Sequence, residues 1–247
     1  MEIFNNDYLV VFCLLLAVVA FLYASVGHGG ASGYLALMTI FVVPISIMKP
    51  SALLLNLFVS GISFFFYFKK DFFKPKLFYP FALTSVPAAF IGGLIPIENN
   101  IYKIVLGVVL ILAAMRLLGF FNNKEKEISK IHIPLAMEIG FGIGLLSGML
   151  GIGGGVILSP ILLILGWATL KETAAISSLF IFVNSIAGLS GYFWIGKSLP
   201  VESIYLVPIA VFGGMLGAHY GSGYYSNKVL KYVLATVILM ASLKLIV

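Results

Sequence analysis

Residues 25–38 read SVGHGGASGYLALM and residues 151–163 read GIGGGVILSPILL. Each places a glycine cluster between apolar runs, where a bilayer-spanning helix would be continuous, and the apolar stretch that follows is too short for an untilted span. Hydrocarbon tolerates irregular backbone only where protein or a water-filled cavity satisfies its polar groups. Glycine permits a tight turn and the close approach of a second backbone. The two clusters therefore predict two short helices whose N-termini lie inside a membrane.

Composition supports a membrane as the solvent. Of 247 residues, 61% are hydrophobic and 10% charged, with a mean hydropathy of +1.12, which excludes an ordinary soluble domain. The net charge of +6 comes from lysines and arginines spread over short loops, so it reads as an orientation signal and not as a nucleic-acid surface. Cys13 stands in an apolar run and has no second cysteine to pair with, so it reads as a small buried hydrophobe. His28, His132 and His219 are too scattered for a metal site. No P-loop is present, and no cofactor is expected. The stretch MEIFNNDYLV lacks a basic start, so the first helix reads as retained and not as a cleaved signal.

Ten apolar segments follow from the length rule, at about 8–27, 30–45, 50–68, 77–96 and 101–119, then 133–150, 154–167, 173–195, 202–219 and 228–246. Lysines 69, 70, 74 and 76, and Arg116 with Lys124, Lys126 and Lys130, place the loop near 70 and the central linker on the cytoplasmic side. Glu98 then falls outside, Lys228 and Lys231 fall inside, and both termini are expected outside.

The chain also repeats itself. GHGG at 27–30 matches GIGG at 151–154, FVSGI at 58–62 matches FVNSI at 182–186, and PAAFIGG at 87–93 matches PIAVFGG at 208–214. YKIVLGVVLILAAMRLL at 102–118 matches LKYVLATVILMASLKLI at 230–246. The expected organisation is all-α: a first membrane repeat over 1–120, a linker over 121–132 and a second repeat over 133–247. Five crossings per half would invert the second repeat, giving two oppositely facing states about one central site. If the short segments re-entered without crossing, the repeats would be parallel and Lys228 and Lys231 would lie outside.

Two inward helix N-termini related by a pseudo-two-fold would make an anion site without a buried arginine. Its expected members are Gly27, His28, Gly29, Gly30 and Ser32 in the first half, and Gly151, Gly153, Gly154 and Gly155 in the second. The competing reading of the glycines is helix packing. His28 could donate to an oxyanion or titrate during transport, or simply satisfy a carbonyl. Asn56 and Ser60 share a helix face, Ser178 and Asn184 lie on the corresponding helix beside Ser177, and Ser60 aligns with Asn184. These five could supply neutral donors to the anion or hydrogen-bond between helices. Glu138, five residues inside its segment, is a candidate for coupling to a proton or cation, unless it reaches back to the interface. Lys49 and Lys171 could line an entrance or anchor the interface. Pro87 and Pro208 read as matched helix kinks.

GIGGGVILSPILL resembles the repeated signature of the TauE/SafE sulfite exporter family, and the duplicated arrangement and length extend the resemblance over essentially the whole chain. GHGGASG departs from the signature by His28 at an apolar position, by Ala31 for a glycine and by the lack of a matching proline. The resemblance implies a carrier of small sulfur-containing anions such as sulfite, thiosulfate or an organosulfonate. The expected protein is thus a permease working by alternating access in a bacterial inner membrane, with a small anionic substrate and the lipid bilayer as its partners. A coupling ion and oligomerisation are left open. A channel is the alternative, disfavoured by the absence of a ring of charged residues. An intramembrane enzyme is the other, with Ser25 and Ser32 near His28 but no acidic partner close in sequence.

Overall fold

The computed structural model describes residues 6–119, 128–223 and 228–246. Expectations resting on residues 1–5, on Lys124 and Lys126, and on the side chains of Arg116, Lys228 and Lys231 lie outside the described residues. Within them the chain forms ten helices and no strand: α1 (Asn6–Ala24), α2 (Ala31–Ile40), α3 (Ile45–Phe68), α4 (Pro75–Leu94), α5 (Asn99–Leu117), α6 (Ile133–Leu150), α7 (Gly155–Ile164), α8 (Leu170–Trp194), α9 (Val201–Ser222) and α10 (Lys228–Ile246). All ten apolar segments are helical. The largest boundary differences are five residues each: α2 ends at Ile40 where 45 was expected, and α3 begins at Ile45, ahead of the expected Pro50. Proline removes one backbone donor, but Pro50 lies only in the second turn, so the helix is already nucleated ahead of it. Helix α8 also starts early, because Thr169 and Glu172 form a reciprocal capping box.

Helices α3, α4, α6, α8 and α9 are long and apolar enough to cross a bilayer. Large apolar side chains such as Leu83, Phe212 and Leu243 project outward from the bundle. That pattern is costly in water and natural in lipid. The chain is an integral membrane protein.

Helices α3 and α8 form the centre, with 56% and 72% of their apolar windows buried against 39% for α4, α6 and α9. They pack on each other; α4 packs on α6 and α8, α9 packs on α1 and α3, and α5 packs on α10. Exchanging α1–α5 with α6–α10 maps each of these pairings onto another or onto itself. Lys49 lies beside Tyr192, Leu53 beside Gly188 and Gly61 beside Phe182, so α3 and α8 run antiparallel.

Two glycine stripes make the outer pairings close. On α6, Gly140, Gly144 and Gly148 press on the α4 carbonyls of Phe81, Ser85 and Ala89; on α9, Gly213 and Gly217 press on the α1 carbonyls of Ala17 and Phe21, and Gly221 on that of Ser25 just past the end of α1. The four-residue spacing keeps each stripe on one face. In both pairs the residue numbers rise together, so α4 and α6 are parallel, as are α1 and α9. A methyl group at Gly144 or Gly217 would collide with backbone, which cannot rotate away. Gly144→Leu and Gly217→Leu are each expected to destabilise the fold by more than about 3 kcal/mol through overpacking. Thermal unfolding in detergent should show this as a large fall in midpoint or as failure to recover folded protein.

Loops gather at two ends of the bundle. At one, Lys74 pairs with Glu172 at 3.7 Å, and Ser129, at the end of the linker, bonds the carbonyls of Leu165 and Gly166. Lys171 also caps this end, donating to the carbonyls of Gly221 (2.8 Å) and Gly223 (2.7 Å) where α9 stops. At the opposite end, Lys244 donates to the carbonyl of Ile40, and Ser51 meets Ser203 at 2.6 Å near the starts of α3 and α9.

Candidate functional site

The short helices α2 and α7 contain ten residues each, about 15 Å at 1.5 Å per residue. Each begins after a glycine in the left-handed conformation, Gly30 (φ 98°) and Gly154 (φ 79°). Gly27, Gly151 and Gly153 are left-handed as well. A side chain is disfavoured at such φ values, which explains why the chain turns at glycines here. Every residue from Gly27 to Ala31 and from Gly151 to Gly155 is buried.

The two breaks meet in the middle of the bundle. A Cβ on Gly29 would strike Asn56 and Ile181, and a Cβ on Gly153 would strike the same two side chains. Asn56 lies midway along α3 and Ile181 midway along α8. Asn56 Oδ1 accepts the Ala31 N–H at 3.0 Å, so the side chain caps the opening of α2. Its Nδ2 lies on the Gly153 side and has no hydrogen-bond partner, although it is fully buried. Ser60 Oγ, Asn184 Oδ1 and Tyr34 Oη are buried and unpartnered too, and Tyr34 packs on Gly30. Protein interiors rarely leave such groups unmade. Of these, Asn56 Nδ2 and Tyr34 Oη lie beside the helix openings.

His28 ties the halves together. Its Nδ1 lies 2.9 Å from the Val26 carbonyl, and its Nε2 lies 3.1 Å from the Gly155 carbonyl and 2.9 Å from Ser159 Oγ. Ser159 in turn lies 2.7 Å from Ser177 Oγ on α8. A carbonyl only accepts, so Nδ1 carries hydrogen toward Val26. Neutral Nε2 accepts from Ser159 only when that hydroxyl turns away from the Gly155 carbonyl, to which it otherwise donates at 2.9 Å; a protonated ring would itself donate to the Gly155 carbonyl. The ring therefore has partners in both protonation states.

Of the residues expected at the site, the structure brings together Gly29, Gly30, Gly153, Gly154, Gly155, His28 and Asn56. Gly27 packs against Ala174 on α8, and Gly151 lies against the backbone of Lys49. Ser32 donates to the Tyr23 hydroxyl at 2.6 Å, Ser178 bonds back to the Ala174 and Ala175 carbonyls, and Asn184 Nδ2 bonds the Phe180 carbonyl. Glu138 is exposed on the outer surface of α6, about a turn and a half from its start. Glu138→Gln is therefore expected to leave transport within about twofold of the native rate, measured as initial uptake, as usual for exposed sites. Ser159 and Ile181 were not anticipated, whereas Ser177, one of the candidate donors on α8, is the residue that meets Ser159. A serine four residues into α7, one turn from Gly155, was the available signal for Ser159.

A family model described as sulfite exporter TauE/SafE matches residues 12–245. The chain belongs to the TauE/SafE family. Among its relatives, the probable membrane transporter protein y4hK of Sinorhizobium fredii is 35% identical over 234 residues, covering 93% of this chain and 94% of that protein. The probable membrane transporter protein YunE of Bacillus subtilis is 28% identical over 160 residues, 56% of this chain and 58% of its own length. No solved structure matches the chain. As a TauE/SafE protein the chain is a membrane transporter.

Proposed function

We propose that the chain is a secondary transporter of a small sulfur-containing anion, such as sulfite, thiosulfate or an organosulfonate, held between the openings of α2 and α7. The observation that carries this is the convergence of Gly29 and Gly153 on one buried side chain, Asn56, whose Nδ2 lacks a partner. Helix openings offer N–H groups without intrahelical acceptors and the positive end of a dipole. Neutral donors suit an anion that must leave as well as enter, and no lysine or arginine is buried among the described residues.

The proposed cycle is alternating access about that site by two inverted repeats, 1–120 and 133–247, joined by the linker 121–132. The antiparallel packing of α3 on α8 and the exchange symmetry of the helix contacts support it. The lysine-rich end that carries Lys69, Lys70, Lys74 and Lys130 is assigned to the cytoplasm, which places ten crossings in a bacterial inner membrane with both termini outside. His28, with partners in both protonation states, is the group assigned to proton coupling; the exposed position of Glu138 gives that residue no part in it.

Uptake of labelled sulfite, thiosulfate and methanesulfonate into proteoliposomes tests the reading. Saturable flux of at least one, inhibited by the others, is expected. Flux that rises linearly with concentration would favour a channel, and no flux of any of the three would remove the sulfur-anion assignment.

A further inference from the structure

A cavity of about 160 Å³ opens at the end of the bundle opposite the lysine-rich loops, where α3 starts, α4 stops and α8 stops. Its wall contains two lysines, Lys49 from α3 and Lys197 from the turn after α8, together with Tyr192, Tyr102 and Asn99. Both ammonium groups stand over the ring of Tyr192, at 6.0 Å and 5.5 Å from its centroid. Neither lysine has a carboxylate partner among the described residues, and the neighbouring Glu98 does not line the cavity. Lys49 is half-buried, and a Cβ on Gly151 would touch both its backbone and its side chain. Lys49 therefore stands between the cavity and the second glycine break.

Two like charges facing one small space repel each other unless an anion lies between them. The Tyr192 ring can hold both in place by its negative face without neutralising either. We propose that this cavity is a second, peripheral binding site for a small tetrahedral or pyramidal oxyanion, clasped between Lys49 and Lys197, from which the anion passes toward the break at Gly151. It rests on the reading of the chain as an anion carrier for its purpose, though not for its chemistry. A free anion is favoured over a lipid phosphate because the space is close to the size of a few water molecules.

Two measurements on the full-length protein test this. In the first, the lysines of detergent-solubilised protein are acylated with and without sulfate, methanesulfonate or phosphatidylglycerol, and labelling of each lysine is read by mass spectrometry. Sulfate or methanesulfonate should protect Lys49 and Lys197 about threefold or more, the occupancy expected when the ligand exceeds its Kd severalfold, while exposed Lys69 stays unprotected. Equal labelling with and without the anions, or protection by phosphatidylglycerol alone, would overturn the proposal. This arm needs no transport, so it remains decisive if the proposed substrates fail.

In the second, uptake by Lys49→Gln, Lys197→Gln and the double variant is compared with Lys49→Arg. The double variant should raise the apparent KM about tenfold, the equivalent of one lost charged contact, with the maximal rate within twofold, and Lys49→Arg should stay near native. An unchanged KM in the double variant would overturn the proposal, as would an equal KM effect in Lys49→Arg, which would mark a packing role.

Discussion

Gly153→Leu is expected to reduce anion uptake by more than about 100-fold, the loss that follows when a site is filled and its geometry displaced. The break at Gly153 has φ 71°, where a branched side chain is strained, and its Cβ would lie 2.7 Å from both Asn56 Nδ2 and Ile181 Cγ2. The leucine must therefore push Asn56 off the opening of α2 or displace α8. Gly29→Leu should fail in the same way from the other side, since its Cβ meets the opposite face of the same asparagine. The decisive comparison is with Asn56→Leu, which removes the shared amide, and with it the cap on the Ala31 N–H, while keeping the glycines of both breaks. All three should lose uptake while keeping at least part of the native unfolding transition. Uptake surviving both glycine changes would reduce the clusters to packing devices.

His28→Ala should have the second-largest effect. It leaves the carbonyls of Val26 and Gly155 and the hydroxyl of Ser159 without their ring partner. It also opens a cavity in a position with no solvent exposure. Together these are expected to cost about 2–4 kcal/mol in stability, read as a fall in unfolding midpoint, and to slow uptake by about tenfold or more through loss of alignment between the halves. His28→Gln, which can still bond a carbonyl, should recover much of the stability. If His28 also carries a coupled proton, the glutamine variant should transport at a rate that no longer responds to an imposed pH gradient. A glutamine variant that still responds would assign coupling elsewhere and leave His28 as a clamp.

The helices were legible because apolar runs of bilayer length have few other ways to satisfy their backbone in lipid. The breaks were legible because three glycines within four residues have no reason to sit in a continuous span, and their recurrence at 27–30 and 151–154 identified them as a pair. Which side chains meet there was not legible. Asn56 stood out only as a polar residue at a helical spacing from Ser60, since nothing local says that its amide reaches two loops 97 and 27 residues away in sequence. Ser159 looked like one more small residue in α7; its contact with His28 spans the two halves. Glu138 drew attention because a carboxylate in an apolar segment is costly, but periodicity alone did not reveal that its face of α6 points away from the bundle. The glycines of α6 and α9 at four-residue spacing were readable as close-packing stripes, whereas their partners, the carbonyls of α4 and α1, required the fold.

The most direct test of a single shared site reached from alternate sides is counterflow. Proteoliposomes loaded with unlabelled sulfite would be diluted into a trace of labelled sulfite, and internal label followed with time. The expected result is a transient accumulation above the equilibrium level in the native protein, absent in Asn56→Leu, because outward movement of the unlabelled anion returns the same site to capture label. Label that rises only to equilibrium, with no overshoot at any internal concentration, would contradict alternating access at the two glycine breaks and leave a continuous pathway in its place.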